Sequence, residues 1–135
     1  MDTQTLYREE LLEHYRNPQN FGKISNFSVS SKQTNPFCGD ELEIFVRCSE
    51  SWGANRTTPL GCRINDIGFV GKGCAISMAG ASMLTEHVKG KTKKELTKFS
   101  ENDMLNLLGI EVSQTRKKCA LLAHSVLKDC LWHSK

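Results

Sequence analysis

The sequence predicts an α+β fold, and three features carry that expectation. Leu42, Ile44, Val46 and Cys48 alternate with Glu43 and Arg47, the pattern of a strand in a half-covered antiparallel sheet. After Gly71-Lys72-Gly73 the period turns helical and stays so to the C-terminus. Finally, Cys119, Leu122, Ala123, Val126, Leu127, Cys130 and Leu131 follow an i, i+3, i+4, i+7 series that lays one apolar stripe on a core. Strands precede helices and nothing repeats internally, which is the α+β order.

Each element has a local cause. Residues 5–16 read as an amphipathic helix with Tyr7, Leu11, Leu12 and Tyr15 on one face. Asn17-Pro18 stops it, because the residue before proline is pushed out of the α region. From Gly22 to Asn35 the chain is polar and turn-rich, with one short strand expected near Phe27–Ser30. Residues 49–60 form a long loop without periodicity, and a second strand is expected over Gly61–Phe69. In it Cys62 and Ile64 share one phase, Ile67 and Phe69 the other, so a bulge or tight turn is expected at Asn65-Asp66. Cys74–Val88 is a helix rich in small residues (Ala75, Ser77, Ala79, Gly80, Ala81, Ser82), suited to close packing, and Gly90 ends it. Thr92 and Glu95 have capping-box spacing and open a short helix through Phe99. Another runs over Ser100–Leu108 and stops at Gly109.

At 135 residues and 15.2 kDa the chain is expected to form one domain, residues 1–135, with a core that needs no disulfide staples. It is 39% hydrophobic and 24% charged, which excludes collagen-like, disordered and coiled-coil classes. No stretch is long enough to span a bilayer and the N-terminus does not resemble a signal peptide, so the expected location is cytoplasmic with no membrane partner. The net charge is only +3, concentrated beyond residue 90, and the basic residues are not interleaved with aromatics. A solvated basic face accounts for this, and nucleic acid is not an expected partner.

Six cysteines stand out: Cys38, Cys48, Cys62, Cys74, Cys119 and Cys130. In a reducing compartment they point to metal or thiol chemistry rather than a disulfide framework, and no Cys-x-x-Cys pair exists, so a metal site must assemble from distant segments. Cys48 and Cys130 fall on apolar faces and Cys62 opens a strand; all three read as buried, small hydrophobic residues. The other three lie at junctions. Cys38 sits in the turn-forming Asn35-Pro36-Phe37-Cys38-Gly39-Asp40, Cys74 begins a helix after Gly-Lys-Gly, and Cys119 follows Arg116-Lys117-Lys118. Helix N-termini and cationic neighbours favour the thiolate, the form that binds metal and attacks sulfur. In an extended segment Cys38 and Asp40 would face one side, so three thiolates and one carboxylate make a four-ligand set for zinc or a two-iron cluster. The hard carboxylate among soft thiolates suits a cluster that must leave.

Asn35-Pro36-Phe37-Cys38-Gly39-Asp40, Gly71-Lys72-Gly73-Cys74-Ala75-Ile76-Ser77-Met78 and Arg116-Lys117-Lys118-Cys119 resemble the three cysteine motifs of IscU/NifU-type iron–sulfur cluster assembly scaffolds. Leu6-Tyr7-Arg8 and His14-Tyr15-Arg16-Asn17-Pro18 are similar to that family's N-terminal helix. The resemblance implies a three-stranded antiparallel sheet packed against several helices, with the cysteines gathered at one end. It also implies a scaffold rather than an enzyme. A cysteine desulfurase would deliver persulfide sulfur to the acceptor Cys119, and iron would join it. A transient [2Fe–2S] cluster held by Cys38, Asp40, Cys74 and Cys119 would then pass to apo iron–sulfur proteins. Whether two copies pair as a homodimer around a shared cluster is left open.

Three departures mark this chain within the resemblance. Lys118 stands where IscU members carry histidine, which is similar to the zinc-binding SufU branch. The separation of 45 residues from Cys74 to Cys119 has no room for that branch's long insertion, and Val112-Ser113-Gln114-Thr115-Arg116 replaces the Leu-Pro-Pro-Val-Lys chaperone segment. The alternative is therefore a zinc-dependent sulfur-transfer protein of the SufU type, in which Zn²⁺ orders the same ligands and one cysteine leaves the metal to take sulfur. Lys118 would balance the site's charge or position Asp40.

Overall fold

The architecture was examined in a computed structural model, which describes residues 3–35, 39–48 and 62–132. Helix α1 (Thr3–Arg16) is followed by three strands, β1 (Val29–Asn35), β2 (Asp40–Cys48) and β3 (Ile64–Lys72). Four helices follow, α2 (Ala75–Val88), α3 (Lys93–Leu96), α4 (Glu101–Leu108) and α5 (Gln114–Trp132). The strands form one antiparallel sheet in the order β1-β2-β3. This is the three-stranded antiparallel sheet with several helices that the sequence led us to expect.

The alternation in β2 does its expected work. Leu42, Ile44 and Val46 are fully buried and meet Ile64, Phe69, Leu84, Val126, Leu127 and Leu131 in one core. From Leu122 to Leu131 the α5 stripe lies in that core, since burying the apolar face is what stabilises a helix of this composition. A second, smaller cluster joins Leu11 of α1 to Ala79 and Met83 of α2, Leu108 of α4 and Ala120 of α5. Of the face expected on α1, Leu11 is buried but Tyr15 is 45% exposed, and the side chain of Tyr7 lies outside the described residues.

The bulge falls where the phase change placed it. Arg47 pairs with Asp66 but Cys48 pairs with Ile64, so Asn65 is the extra residue. The expected capping box forms at Thr92/Glu95, a second not read from the sequence forms at Ser100/Asp103, and Gly109 ends α4 at φ +74°. Three boundaries differ from expectation. β1 runs seven residues rather than four, because a sheet edge accepts the polar Ser30-Ser31-Lys32-Gln33-Thr34 run. β3 begins at Ile64, not Gly61, and α3 stops at Leu96, with Phe99 folded back by its amide onto the Leu96 carbonyl. The expected loop over 49–60 lies outside the described residues.

One expectation is overturned. Cys48 and Cys62 are not free, small hydrophobic residues but a disulfide, their Cα atoms 5.2 Å apart. Cys48 ends β2 opposite Ile64, and Cys62, two residues before β3, approaches it closely enough for the cross-link. Cys130 does remain a thiol, fully buried, its Sγ donating to the Ile44 carbonyl at 3.5 Å. Burial, reinforced by Asp129 and Glu43, pushes its thiol up to about 12, so it stays protonated and inert.

A cross-link closing a loop of this size constrains the unfolded chain by about 3 kcal/mol. Adding a thiol reductant should therefore lower the melting midpoint by roughly 10 °C, and Cys48→Ser should melt at the lower temperature with or without reductant. His124 supplies a pH-dependent counterpart. It is 5% exposed on α5, with Nε2 3.2 Å from the Phe99 carbonyl and its ring edge-on to Phe99. Burial lowers its pKa and Lys128 adds to this, while the hydrogen bond to the Phe99 carbonyl, Glu101 and Asp103 oppose it without cancelling it. The unfolded chain thus takes up a proton that the folded chain refuses. Stability should be full above about pH 6.5 and fall as pH drops below it. Urea midpoints should show that fall, and His124→Gln should flatten it.

Candidate metal centre

Three element ends converge at one end of the sheet. Asp40 opens β2, opposite Asn35 at the close of β1, and the Gly39 amide donates to the Asn35 carbonyl at 2.8 Å. Gly39 has φ +71°, so this is a tight turn and not the extended segment assumed for Cys38-Gly39-Asp40. Cys38 lies outside the described residues. Asp40 itself is buried, and one of its oxygens, Oδ1, accepts the Cys74 amide N–H at 3.0 Å.

Cys74 is the N-cap residue of α2, and its side chain makes no capping bond. Its sulfur is left to face Asp40 Oδ2 at 3.6 Å and Ser77 Oγ at 3.6 Å. The carboxylate sits at the positive end of the 14-residue helix α2, where an anion is favoured. Gly73 makes this closeness possible. A Cβ there would strike Asp40 Oδ1 and lie 2.7 Å from Ser77 Oγ.

Cys119 arrives on α5. Because α5 starts at Gln114, Cys119 stands in its second turn, and it is only 2% exposed. The N-terminal turn is set by Ser113, whose carbonyl and Oγ both accept the Arg116 amide. Small residues bring α5 to α2: Ala79 and Ala120 share a cluster, and a Cβ on Gly80 would lie 3.4 Å from Met104 and 3.9 Å from the Ala120 carbonyl. As a result a carboxylate oxygen of Asp40 and the sulfurs of Cys74 and Cys119 all lie within 4.8 Å of one another.

The donor set fits a thiophilic ion. With metal–sulfur bonds of about 2.3 Å and metal–oxygen bonds of about 2.1 Å, a tetrahedral site has a sulfur–oxygen edge of about 3.6 Å. The Cys74–Asp40 separation already has that value. Lys118, beside Cys119, is exposed, and it lines a groove of about 490 Å³ with Gln33, Asn35, His124, Lys128 and Asp129. That groove flanks the donor cluster but contains none of its three side chains. Cys48, Cys62 and Cys130 take no part, as expected, though the first two for a different reason. Sequence reasoning missed Gly73 and Ser77. The spacing of Ser77, three residues after a helix-opening Cys74, was the available signal.

The chain matches the family described as NifU-like N terminal domain over residues 6–133. The chain belongs to this family. Among its relatives, the zinc-dependent sulfurtransferase SufU of Bacillus subtilis is 35% identical over 141 residues, covering 92% of this chain and 88% of that protein. The iron–sulfur cluster assembly scaffold protein IscU 1 of Archaeoglobus fulgidus is 32% identical over 126 residues, covering 93% of this chain and 74% of that protein. A solved structure described as an iron–sulfur cluster assembly scaffold for the SUF system, from Fervidobacterium islandicum, superposes with a TM-score of 0.68 at 28% identity. It covers 96% of this chain and 99% of that one. Among the described residues no helix is long and apolar enough to cross a membrane.

Because Gly73 leaves room for the Asp40 carboxylate, Gly73→Ala should bind Zn²⁺ about 10-fold more weakly. Competition against a chromophoric chelator measures this, and unchanged affinity would show that the carboxylate's position is immaterial.

Proposed function

We propose that the protein is a scaffold for iron–sulfur cluster assembly that accepts sulfur from a cysteine desulfurase and passes a [2Fe–2S] cluster to apo iron–sulfur proteins. The convergence of Asp40, Cys74 and Cys119 carries this reading. Cys38, two residues before Asp40 in the chain, is the proposed fourth ligand. Membership of a family whose members bear scaffold names supports it. Iron and sulfide are cargo here, so the protein's own task is to hold and release them.

Sulfur arrives by exchange. The acceptor thiolate attacks the outer sulfur of the desulfurase persulfide, the sulfur–sulfur bond breaks, and the desulfurase cysteine leaves as thiolate. No net oxidation occurs. We assign the acceptor as Cys119, whose neighbours Arg116, Lys117 and Lys118 favour an anionic sulfur. Its burial means that docking of the desulfurase must first open the exposed turn at 113–118.

A second reading is favoured by two observations: the 35% identical relative named a zinc-dependent sulfurtransferase, and Lys118. In it Zn²⁺ is resident on the same ligands and Cys119 exchanges off the metal to take sulfur. The two readings part on one experiment. Anaerobic incubation with ferrous iron, cysteine, a desulfurase and a thiol reductant, which takes the persulfide sulfur to sulfide, should give a brown protein with visible sulfur-to-iron charge-transfer bands. A colourless protein with one retained zinc, whose stimulation of the desulfurase is lost on chelation, would establish the sulfurtransferase instead. Under either, persulfide should appear on Cys119 by mass spectrometry, survive in Cys48→Ser and Cys130→Ala, and vanish in Cys119→Ser. Persulfide retained on Cys74 in Cys119→Ser would overturn the assignment.

A further inference from the structure

Ser77 has no role in the ligand set, yet it is 1% exposed, and among the described residues its hydroxyl hydrogen-bonds only to Cys74. Oγ donates to the Cys74 carbonyl at 3.0 Å and lies 3.6 Å from Cys74 Sγ, within reach for a sulfur hydrogen bond. A serine hydroxyl carries a single proton and swings about its Cβ–Oγ bond. It can therefore serve the carbonyl or the sulfur, and the Cys74 sulfur decides which.

While Cys74 is a thiol, its own proton points to Asp40 Oδ2 at 3.6 Å, and the Ser77 proton rests on the carbonyl. Once the sulfur is a metal-bound thiolate it is an acceptor only, and turning the Ser77 proton towards it gives a charge-assisted bond. The room for this arrangement comes from Gly73, whose missing Cβ would otherwise press on Ser77 Oγ and Asp40 together. Sulfur is thus flanked by a hydroxyl on one side and a carboxylate on the other, both fixed by burial.

We propose that Ser77 is a positioning residue for Cys74, whose hydroxyl donates to the Cys74 sulfur in the metal-loaded site and tunes its bond to the ion. The proposal rests on the metal-binding reading above. A hydrogen bond draws electron density off thiolate sulfur, so its removal makes the sulfur a better electron donor to the metal. Outer partners of this kind also contribute to affinity.

The test loads Co²⁺ in place of the natural ion and records sulfur-to-cobalt charge transfer. Ser77→Ala should move that band to lower energy and weaken Zn²⁺ binding about 10-fold against a chelator, while Ser77→Thr, which keeps the hydroxyl, should return both towards the parent. Ser82→Ala is the structural control. Its Oγ accepts the Gln19 amide and meets His14 Nδ1, both at 2.7 Å, so its loss should lower the melting point but leave the cobalt band in place. An unshifted band and equal affinity in Ser77→Ala would overturn the proposal. So would a shift in Ser77→Thr or Ser82→Ala as large as that in Ser77→Ala. Failure of the parent to take up cobalt at all would instead overturn the metal-site reading, and this proposal with it.

Discussion

The site depends on one hydrogen bond, from the Cys74 amide to Asp40 Oδ1. It joins the first residue of β2 to the N-cap of α2, and it satisfies the buried Asp40 carboxylate, which would be costly to leave unpaired. Through it the sheet fixes where α2 begins, and so where the Cys74 sulfur sits. The two carboxylate oxygens divide the work. Oδ1 holds the amide, leaving Oδ2 facing the sulfur at a separation already suited to a shared ion. Coordination through Oδ2 leaves the structural bond intact.

The cysteines sort by position along the sheet. Cys74 and Cys119 meet at the end where β2 starts, whereas the Cys48–Cys62 disulfide lies where β2 finishes, about 27 Å away for a strand of this length. Thiol exchange needs sulfur-to-sulfur contact, so that distance separates the exchangeable sulfurs from the cross-linked ones. Cys130 sits between them, fully buried under β2 with its thiol held protonated. Among the described cysteines, then, each has one role, and geometry keeps the roles apart.

Much of this was legible in the sequence because the signals were local. Alternation over 42–48, the phase change at Asn65, the Thr92/Glu95 box and the α5 stripe each record what a residue's immediate neighbours require. The convergence of Asp40, Cys74 and Cys119 was legible too, since polar and thiol residues at element junctions have little packing reason to be there. What escaped is non-local. β1 is polar because it is an edge strand, and that depends on which strands pair. The disulfide depends on the β2–β3 register and the bulge, neither of which cysteine spacing encodes. Ser77 was hidden by its setting, one small residue among many on a close-packed helix.

The expectation that an oxygen donor makes the site labile gains a more specific physical basis from the geometry. A ligand detaches readily when its departure leaves no buried group orphaned. Here Asp40 and Cys74 each have another partner waiting. Asp40 keeps the Cys74 amide through Oδ1, and the Cys74 sulfur regains Asp40 Oδ2 and Ser77 Oγ as hydrogen-bond neighbours once protonated. The empty state is therefore nearly as well satisfied as the loaded one, although Asp40 and Ser77 are both almost wholly buried. A permanent structural site would be built the other way, with donors that have nothing to bond to except the ion. The hydrogen bonding around Asp40 and Cys74 leaves neither group orphaned when no ion is bound.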